Sequence, residues 1–246
     1  MEHRDRILLE VGNTTVKLAR STGGGGIVVE RYEDPEEVAG LLDGCDAEIV
    51  CVPVGSGGNL PPAFHDLAGL RVMRRADLLP FAGSSYASPE TLGLDRILNL
   101  AGLAGQGIAI SCGTAITIDA MTPDGPFWGA IMPGFGTAAL GLHDRIPVLP
   151  LVSADALVAL PARTSLESVA NGVLLGTALA VAGLAGRLAA LGFPGAAPRV
   201  VVTGGDGELL LRYWNDVPAP ELDAALLFRG MLRMLEKQMP PASGSG

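Results

Sequence analysis

The first 33 residues alternate between short apolar and polar blocks. Ile7, Leu8 and Leu9 run into an acid, Glu10. Gly12, Asn13 and Thr14 turn the chain, and a second β-rich run from Val16 carries Lys17. This pattern predicts strand, turn, strand, then a glycine tract (Gly23 to Gly26) as a hairpin turn, and a third strand. The tract lacks the GK[ST] ending of a Walker loop. "PEEVAGLL" begins a helix, with Asp34 as cap and Pro35 in the first turn. "AEIVCVPVG" reads as a buried strand. "SPETLGLDRILNLAGLAGQG" reads as one helix capped at Ser88, with Pro89 following, and ending at glycines. "GIAISCGTAITIDAM" then repeats the opening grammar: apolar strand, small polar residue, Gly-Thr turn, β-rich strand. "FWGAIMPG" supplies a further strand and a long helical region follows. "RVVVTGGDGELL" is a strand entering a glycine turn and a helix. Met231, Leu232, Met234 and Leu235 belong to the core face of a last helix.

The two strand-turn-strand openings, at residues 7–19 and 108–120, form a weak internal repeat. They predict an α/β fold of two similar halves facing each other across a central cleft, a common setting for ligands. The boundary falls near residue 105: an N-terminal half over 1–105, a C-terminal half over 106–238, and a flexible tail over 239–246.

Composition narrows the picture. With 48% hydrophobic and 4% aromatic residues in 246, the core must be built from Ala, Val, Leu and Ile. The net charge of −9 is the opposite of the basic field of a nucleic-acid binder, so no nucleic acid is expected. Cys45, Cys51 and Cys112 match no zinc spacing and read as buried free thiols in a reducing cytoplasm. The N-terminus enters an apolar strand too short for a signal peptide. The longest apolar stretch, from Gly172 to Arg187, is shorter than a bilayer needs, so a buried helix is expected and no membrane. His3, His65 and His143 are scattered and carry no role.

In both turns glycine allows close approach of a ligand, Thr14 and Thr114 offer hydroxyls, and successive N–H groups can form an anion nest. Either turn alone reads better as a plain hairpin. The repetition, with a third strand-to-helix turn at Thr203, Gly204 and Gly205, points to nucleotide phosphates, with a carboxylate beside them for Mg²⁺. Asp95 and Arg96 inside "GLDRILNL" are either an exposed pair on a helix or a functional pair.

These motifs resemble, in order, those of the type III pantothenate kinases of the acetate kinase/sugar kinase/Hsp70/actin superfamily. "EVGNTTVK" is similar to D-x-G-N-T-x-x-K, and "YASPETLGLDR" to the Tyr-x-x-Pro…Gly-x-Asp-Arg segment. "SCGTAITID" resembles D-x-G-T-A-x-T-x-D, and "GAIMPGFGTAALGLHDRIPVLP" the G-G-x-I-x-P-G segment. "TSLESVANGVLLG" is similar to the family's N-T helix start, and "VVVTGG" to its adenosine-side strand. The resemblance implies two ribonuclease H-like halves, an actin-like ATPase fold. It implies phosphorylation of pantothenate by ATP with Mg²⁺, the first step of coenzyme A biosynthesis, in a cytoplasmic homodimer with pantothenate near the interface. By position, Glu10, Gly12, Asn13, Thr14 and Lys17 would form the first phosphate loop, with Glu10 toward Mg²⁺ directly or through water. Gly113, Thr114, Ala115 and Thr117 would form the second, with Thr203, Gly204 and Gly205 near the nucleotide. Asp119 would bind a monovalent cation, K⁺ or NH₄⁺. Asp95 would be the general base, and Tyr86, Gly93, Leu94, Arg96 and Ser165 would hold pantothenate.

The chain departs from the family pattern at two acidic positions. Glu10 stands for Asp, one methylene longer. Ser111 stands for Asp and removes a charge. Thr164 for Asn, Ser165 for Thr and Ala130 for Gly are milder. The competing expectation is a catalytically impaired homologue that binds nucleotide or pantothenate as a regulatory protein.

Overall fold

The computed structural model describes residues 6–21, 26–55, 58–82, 86–215 and 219–238. The glycines 23–25 of the tract, His3 and the tail 239–246 lie outside the described residues. The chain divides into two compact units, Met1–Gly102 with Ala225–Gly246, and Leu103–Ala224.

In the first unit, β1 (Arg6–Val11) and β2 (Val16–Ser21) form a hairpin that β3 (Ile27–Tyr32) extends. α1 (Pro35–Leu42) follows, and Asp34 caps it by accepting the Glu36 N–H at 2.9 Å. β4 (Glu48–Pro53) returns parallel to β1, and the short β5 (Leu70–Val72) lies parallel beyond it. α2 (Arg75–Ala82) and α3 (Leu94–Gly102) complete this part of the chain. The second unit begins with β6 (Gly107–Cys112), β7 (Ala115–Thr122) and β8 (Gly125–Pro133), an antiparallel set. After α4 (Phe135–Arg145), the helix α5 (Ser165–Ala170) passes through a π-helical turn, Asn171–Leu175, into α6 (Gly176–Gly192). β9 (Val200–Thr203) runs parallel to β6, α7 (Gly207–Arg212) follows, and β10 (Glu221–Leu222) closes the edge. α8 (Leu226–Gln238) ends the described chain.

The sheet orders are β3-β2-β1-β4-β5 and β10-β9-β6-β7-β8. Counted from each unit's first strand, both read third-second-first-fourth-fifth. The repeat seen in the turns therefore extends to whole sheets, and the expectation of two similar α/β halves of ribonuclease H-like topology holds. Each sheet carries its own apolar core, around Leu9, Leu18, Ile49 and Phe64 in one and Ile110, Ile118, Leu174 and Val181 in the other.

Four expectations are corrected. The helix expected from Ser88 onward is broken: Pro89–Thr91 is a 3₁₀ turn, Ser88 makes no side-chain cap, and Leu92 is extended. Leu92 is fully buried, and the Arg75 side chain takes its carbonyl and that of Pro89 (3.3 Å), so the helix restarts at Leu94. The C-terminal helix, expected in the second half, groups with the first unit because α8 packs on α3. That contact is close: a Cβ on Gly102 would meet the Leu226 backbone, and one on Gly230 the Leu98 backbone. The apolar run is longer than it reads, since α5, the π turn and α6 make one helix, Ser165–Gly192, long and apolar enough to cross a membrane by length and composition. Val173, Leu174, Ala178, Val181 and Ala185 are nonetheless buried in the second unit's core, as a core helix requires.

The thiols supply the fourth correction. Cys51 and Cys112 are buried, but Cys45 is exposed in the turn after α1. Burial pushes the Cys51 and Cys112 thiols up to about 12, with Asp206 adding to the rise at Cys112. The thiolate is the reactive form. Iodoacetamide at pH 8 should therefore label Cys45 alone in folded protein, and all three in denaturant. Peptide mass mapping checks this, and fast labelling of Cys112 in folded protein would contradict it.

Candidate functional site

β1 and β2 bring the first set of residues together. The Gly12 N–H donates to Thr15 O at 2.9 Å, closing a turn that leaves Asn13 and Thr14 exposed. Glu10 stands directly opposite Lys17 across the hairpin. Lys17 Nζ donates to both Glu10 oxygens, at 3.0 and 2.9 Å, with both side chains mostly buried. A cavity of about 330 Å³ beside the turn is lined by Gly12, Asn13, Thr14 and Asn59. The end of β4 buttresses the turn: the Val54 and Gly55 N–H groups both donate to Val11 O, at 2.9 and 3.0 Å. A Cβ on Gly55 would come within 2.5 Å of Gly12 C and 2.6 Å of Asn13 N. No local pattern marks Gly55, because its partner lies some forty residues earlier.

The second turn is built alike. The Gly113 N–H donates to Ala115 O at 3.1 Å. Gly134 N–H (3.0 Å) and Thr137 Oγ1 (2.6 Å) both donate to Thr114 O. A Cβ on Gly134 would run into Gly113 O, and one on Gly204, whose φ is +92°, into Cys112 O. The Asp206 N–H donates to that same Cys112 oxygen at 3.1 Å. Gly204 and Asp206 thus abut Cys112, the residue just before Gly113, within one unit. Gly134 and Thr137 were not foreseen, and their only sequence signal was the Pro-Gly that ends β8.

Register fixes the neighbours of Ser111. It pairs with Thr117 on β7 and Thr203 on β9, so three neutral hydroxyl residues share one row of the sheet. Glu10 and Ser111 are matched positions, each two residues before its turn glycine. One carries an ion pair and the other carries no charge. Asp119 is only 2% exposed and lies where the β7–β8 register shifts, with Oδ1 accepting the Gly129 N–H at 2.9 Å. A buried carboxylate of this kind requires compensating partners.

The third set gathers at α3 in the first unit. Asp95 lies in the first turn and Arg96 is 4% exposed, its guanidinium carbon 5.9 Å from the centroid of the half-buried Tyr86 ring. That is cation–π range. The lack of a side chain at Gly93 makes room for Asp95, since a Cβ there would stand 2.5 Å from Asp95 Oδ1. Leu94 itself is buried and lines a cavity of about 430 Å³ with His65, Arg74 and Arg75. Asn99, one turn further along α3, is 3% exposed and its Oδ1 is buried without a partner. An unsatisfied buried acceptor costs about 1–3 kcal/mol. Ser165 belongs to the second unit and is exposed at the first position of α5, beside Thr164, whose Oγ1 accepts the Glu167 N–H at 3.1 Å.

Among the described residues no group of three or more His, Cys, Asp or Glu side chains could hold a metal ion. Mg²⁺ at a phosphoryl-transfer site needs fewer, being held by one or two carboxylates, water and substrate phosphates. Each Glu10 oxygen has more than one acceptor direction, so the bond to Lys17 leaves capacity for a metal-bound water.

Known proteins share sequence and fold with this chain. A sequence model of the family described as type III pantothenate kinase matches residues 70–187. The type III pantothenate kinase of Chlorobaculum parvum is 34% identical over 230 residues, 83% of this chain and 85% of the relative. That of Halorhodospira halophila is 35% identical over 233 residues, covering 83% and 88%. Among solved structures, a Campylobacter jejuni protein assigned to the Baf family of transcriptional activators superposes with a TM-score of 0.60 at 20% identity. It covers 94% of this chain and 98% of its own, a likeness of fold alone.

Proposed function

The chain belongs to the type III pantothenate kinase family, and from that premise we propose that it phosphorylates pantothenate with ATP to give 4'-phosphopantothenate, the first step of coenzyme A biosynthesis. The observation that carries the reading is the Asp95–Arg96 pair at the start of α3, with Arg96 buried against Tyr86. Asp95 takes the proton of the attacking hydroxyl as general base. Arg96 holds the carboxylate at the other end of pantothenate by charge-assisted hydrogen bonds, and Tyr86 fixes the guanidinium plane. Gly93 and Leu94 shape the approach, and Ser165 contributes a hydroxyl to the same substrate in a homodimer.

Each unit offers its own phosphate-binding groups: Gly12, Asn13, Thr14 and Lys17 in the first, and Gly113, Thr114, Thr117, Thr203, Gly204 and Gly205 in the second. Phosphoryl transfer depends mostly on positioning and charge neutralisation, which rigid glycine-locked turns favour. Glu10 would hold Mg²⁺ through water, and the metal would neutralise phosphate charge. Asp119, buried at the β7–β8 register shift, would hold a monovalent cation, K⁺ or NH₄⁺. The test is ADP release by purified protein with ATP, Mg²⁺ and K⁺: pantothenate should stimulate it well above the rate without pantothenate.

The neutral Ser111–Thr117–Thr203 row favours a second reading, a homologue that binds nucleotide or pantothenate without turnover and acts as a regulatory protein. The Glu10→Asp/Ser111→Asp double variant separates the two. If the native protein is an active kinase, the variant changes its rate by roughly 10-fold or less. If the native protein is silent, a variant that gains pantothenate-dependent ADP release marks a kinase that lost its metal site. A variant that stays silent supports the regulatory reading.

A further inference from the structure

We propose that Asn99 is a positioning residue for the alcohol substrate, accepting a hydrogen bond from a donor in the middle of that molecule. The proposal rests on the pantothenate reading above. An α-helix advances about 100° per residue. Asp95, Asn99 and Arg96 therefore lie within one arc of ~100° on α3, with Asn99 between the other two. Neighbours three and four residues apart on a helix have Cβ atoms roughly 5–6 Å apart. Asn99 thus shares one face of α3 with the two residues assigned to the substrate.

The side chain is buried and its Oδ1 has no partner. Ile97, Leu98 and Leu100, its neighbours along α3, are buried and apolar. A leucine of similar volume would fill the same space without stranding a polar atom. The helix cannot rotate to give Asn99 to solvent. Gly102 is pressed on the Leu226 backbone, Gly230 on the Leu98 backbone, and Arg75 holds the Leu92 carbonyl ahead of the first turn. The acceptor is therefore fixed and already desolvated, a state that favours a bound donor over water.

Pantothenate supplies such donors. Its reacting hydroxyl is at one end and its carboxylate at the other, with a secondary hydroxyl and an amide N–H between them. Laid between Asp95 and Arg96, it carries these two groups past Asn99.

The test pairs Asn99→Leu with two analogues, one with an ester oxygen in place of the amide N–H and one without the secondary hydroxyl. The native enzyme should disfavour at least one analogue by about 10-fold or more in kcat/KM. Asn99→Leu should lose that discrimination. Its kcat/KM for pantothenate should fall by roughly 10- to 100-fold, mostly through KM, with KM for ATP unchanged and a Tm no lower than native. If the leucine variant does not fold, Asn99→Ala is read for the same loss. Discrimination that survives in the folded variant overturns the proposal, and so does a native enzyme that ignores both analogues. If the native protein turns over no pantothenate, the kinase reading fails by itself. The comparison is then made by calorimetric titration with pantothenate and both analogues. Loss of discrimination in the variant supports the proposal there, and unaltered discrimination or no pantothenate binding overturns it.

Discussion

Asp95→Asn should reduce pantothenate-dependent ADP release by roughly 10²- to 10⁴-fold, the usual contribution of a positioned general base. The loss should fall on kcat. Asparagine keeps the size of the side chain and much of its hydrogen bonding, so the hydroxyl is still placed but its proton has no acceptor. KM for pantothenate should stay within about threefold, because Arg96 and Tyr86 are untouched. Folding should also be unchanged, since Asp95 is only half-buried and sits at a helix start held by other contacts, the Arg75 side chain on Leu92 and Pro89 and the α8 backbone on Gly102. A kcat within threefold of native would remove Asp95 from the chemistry. A large rise in KM with kcat unchanged would recast it as a binding residue.

Gly204→Ala should have the largest structural effect of any single change considered. Its φ of +92° is one that residues with a Cβ rarely adopt, and the added methyl would run into the Cys112 carbonyl. Left-handed strain and a backbone clash together cost roughly 3 kcal/mol or more. For a chain of this length that corresponds to a fall in Tm of roughly 6–12 °C. The clash also falls on the residue just before Gly113, so the second turn should move and KM for ATP should rise with it. Calorimetry and an ATP titration read the two effects. A Tm within about 2 °C of native would mean that the β9–α7 corner yields freely and does not lock the turn.

Much of this was legible in the residues because the signals were local. Apolar runs ending at Glu10 and Ser111, each two residues before a glycine turn, place the two hairpins correctly. Asp34 and Pro35 announce α1. What escaped depends on contacts distant in sequence. The break before α3 is enforced by Arg75, whose guanidinium reaches the Leu92 carbonyl seventeen residues on. The place of α8 follows from glycine contacts with α3 across more than a hundred residues. The turn locks at Gly55 and Gly134 look like ordinary loop glycines until the opposing backbone is present. Asn99 reads as one polar residue on an apolar helix. Only burial without a partner distinguishes it from a solvent-facing asparagine.

The Glu10–Lys17 pair was also only half legible. The residues were assigned separately, one toward metal and one toward phosphate, yet the hairpin register sets them directly opposite each other. A lysine held by a carboxylate is a weaker phosphate ligand than a free one. A carboxylate held by a lysine is a weaker metal ligand. Both effects would slow phosphoryl transfer in a kinase.

The central claim is tested most directly by identifying the product. Purified protein is incubated with ATP, Mg²⁺, K⁺ and pantothenate, and the mixture is resolved by mass spectrometry. The account predicts pantothenate bearing one phosphoryl group on its terminal hydroxyl, formed in step with ADP and missing from the Asp95→Asn reaction. ADP without phosphorylated pantothenate, or neither product from folded protein, would contradict it.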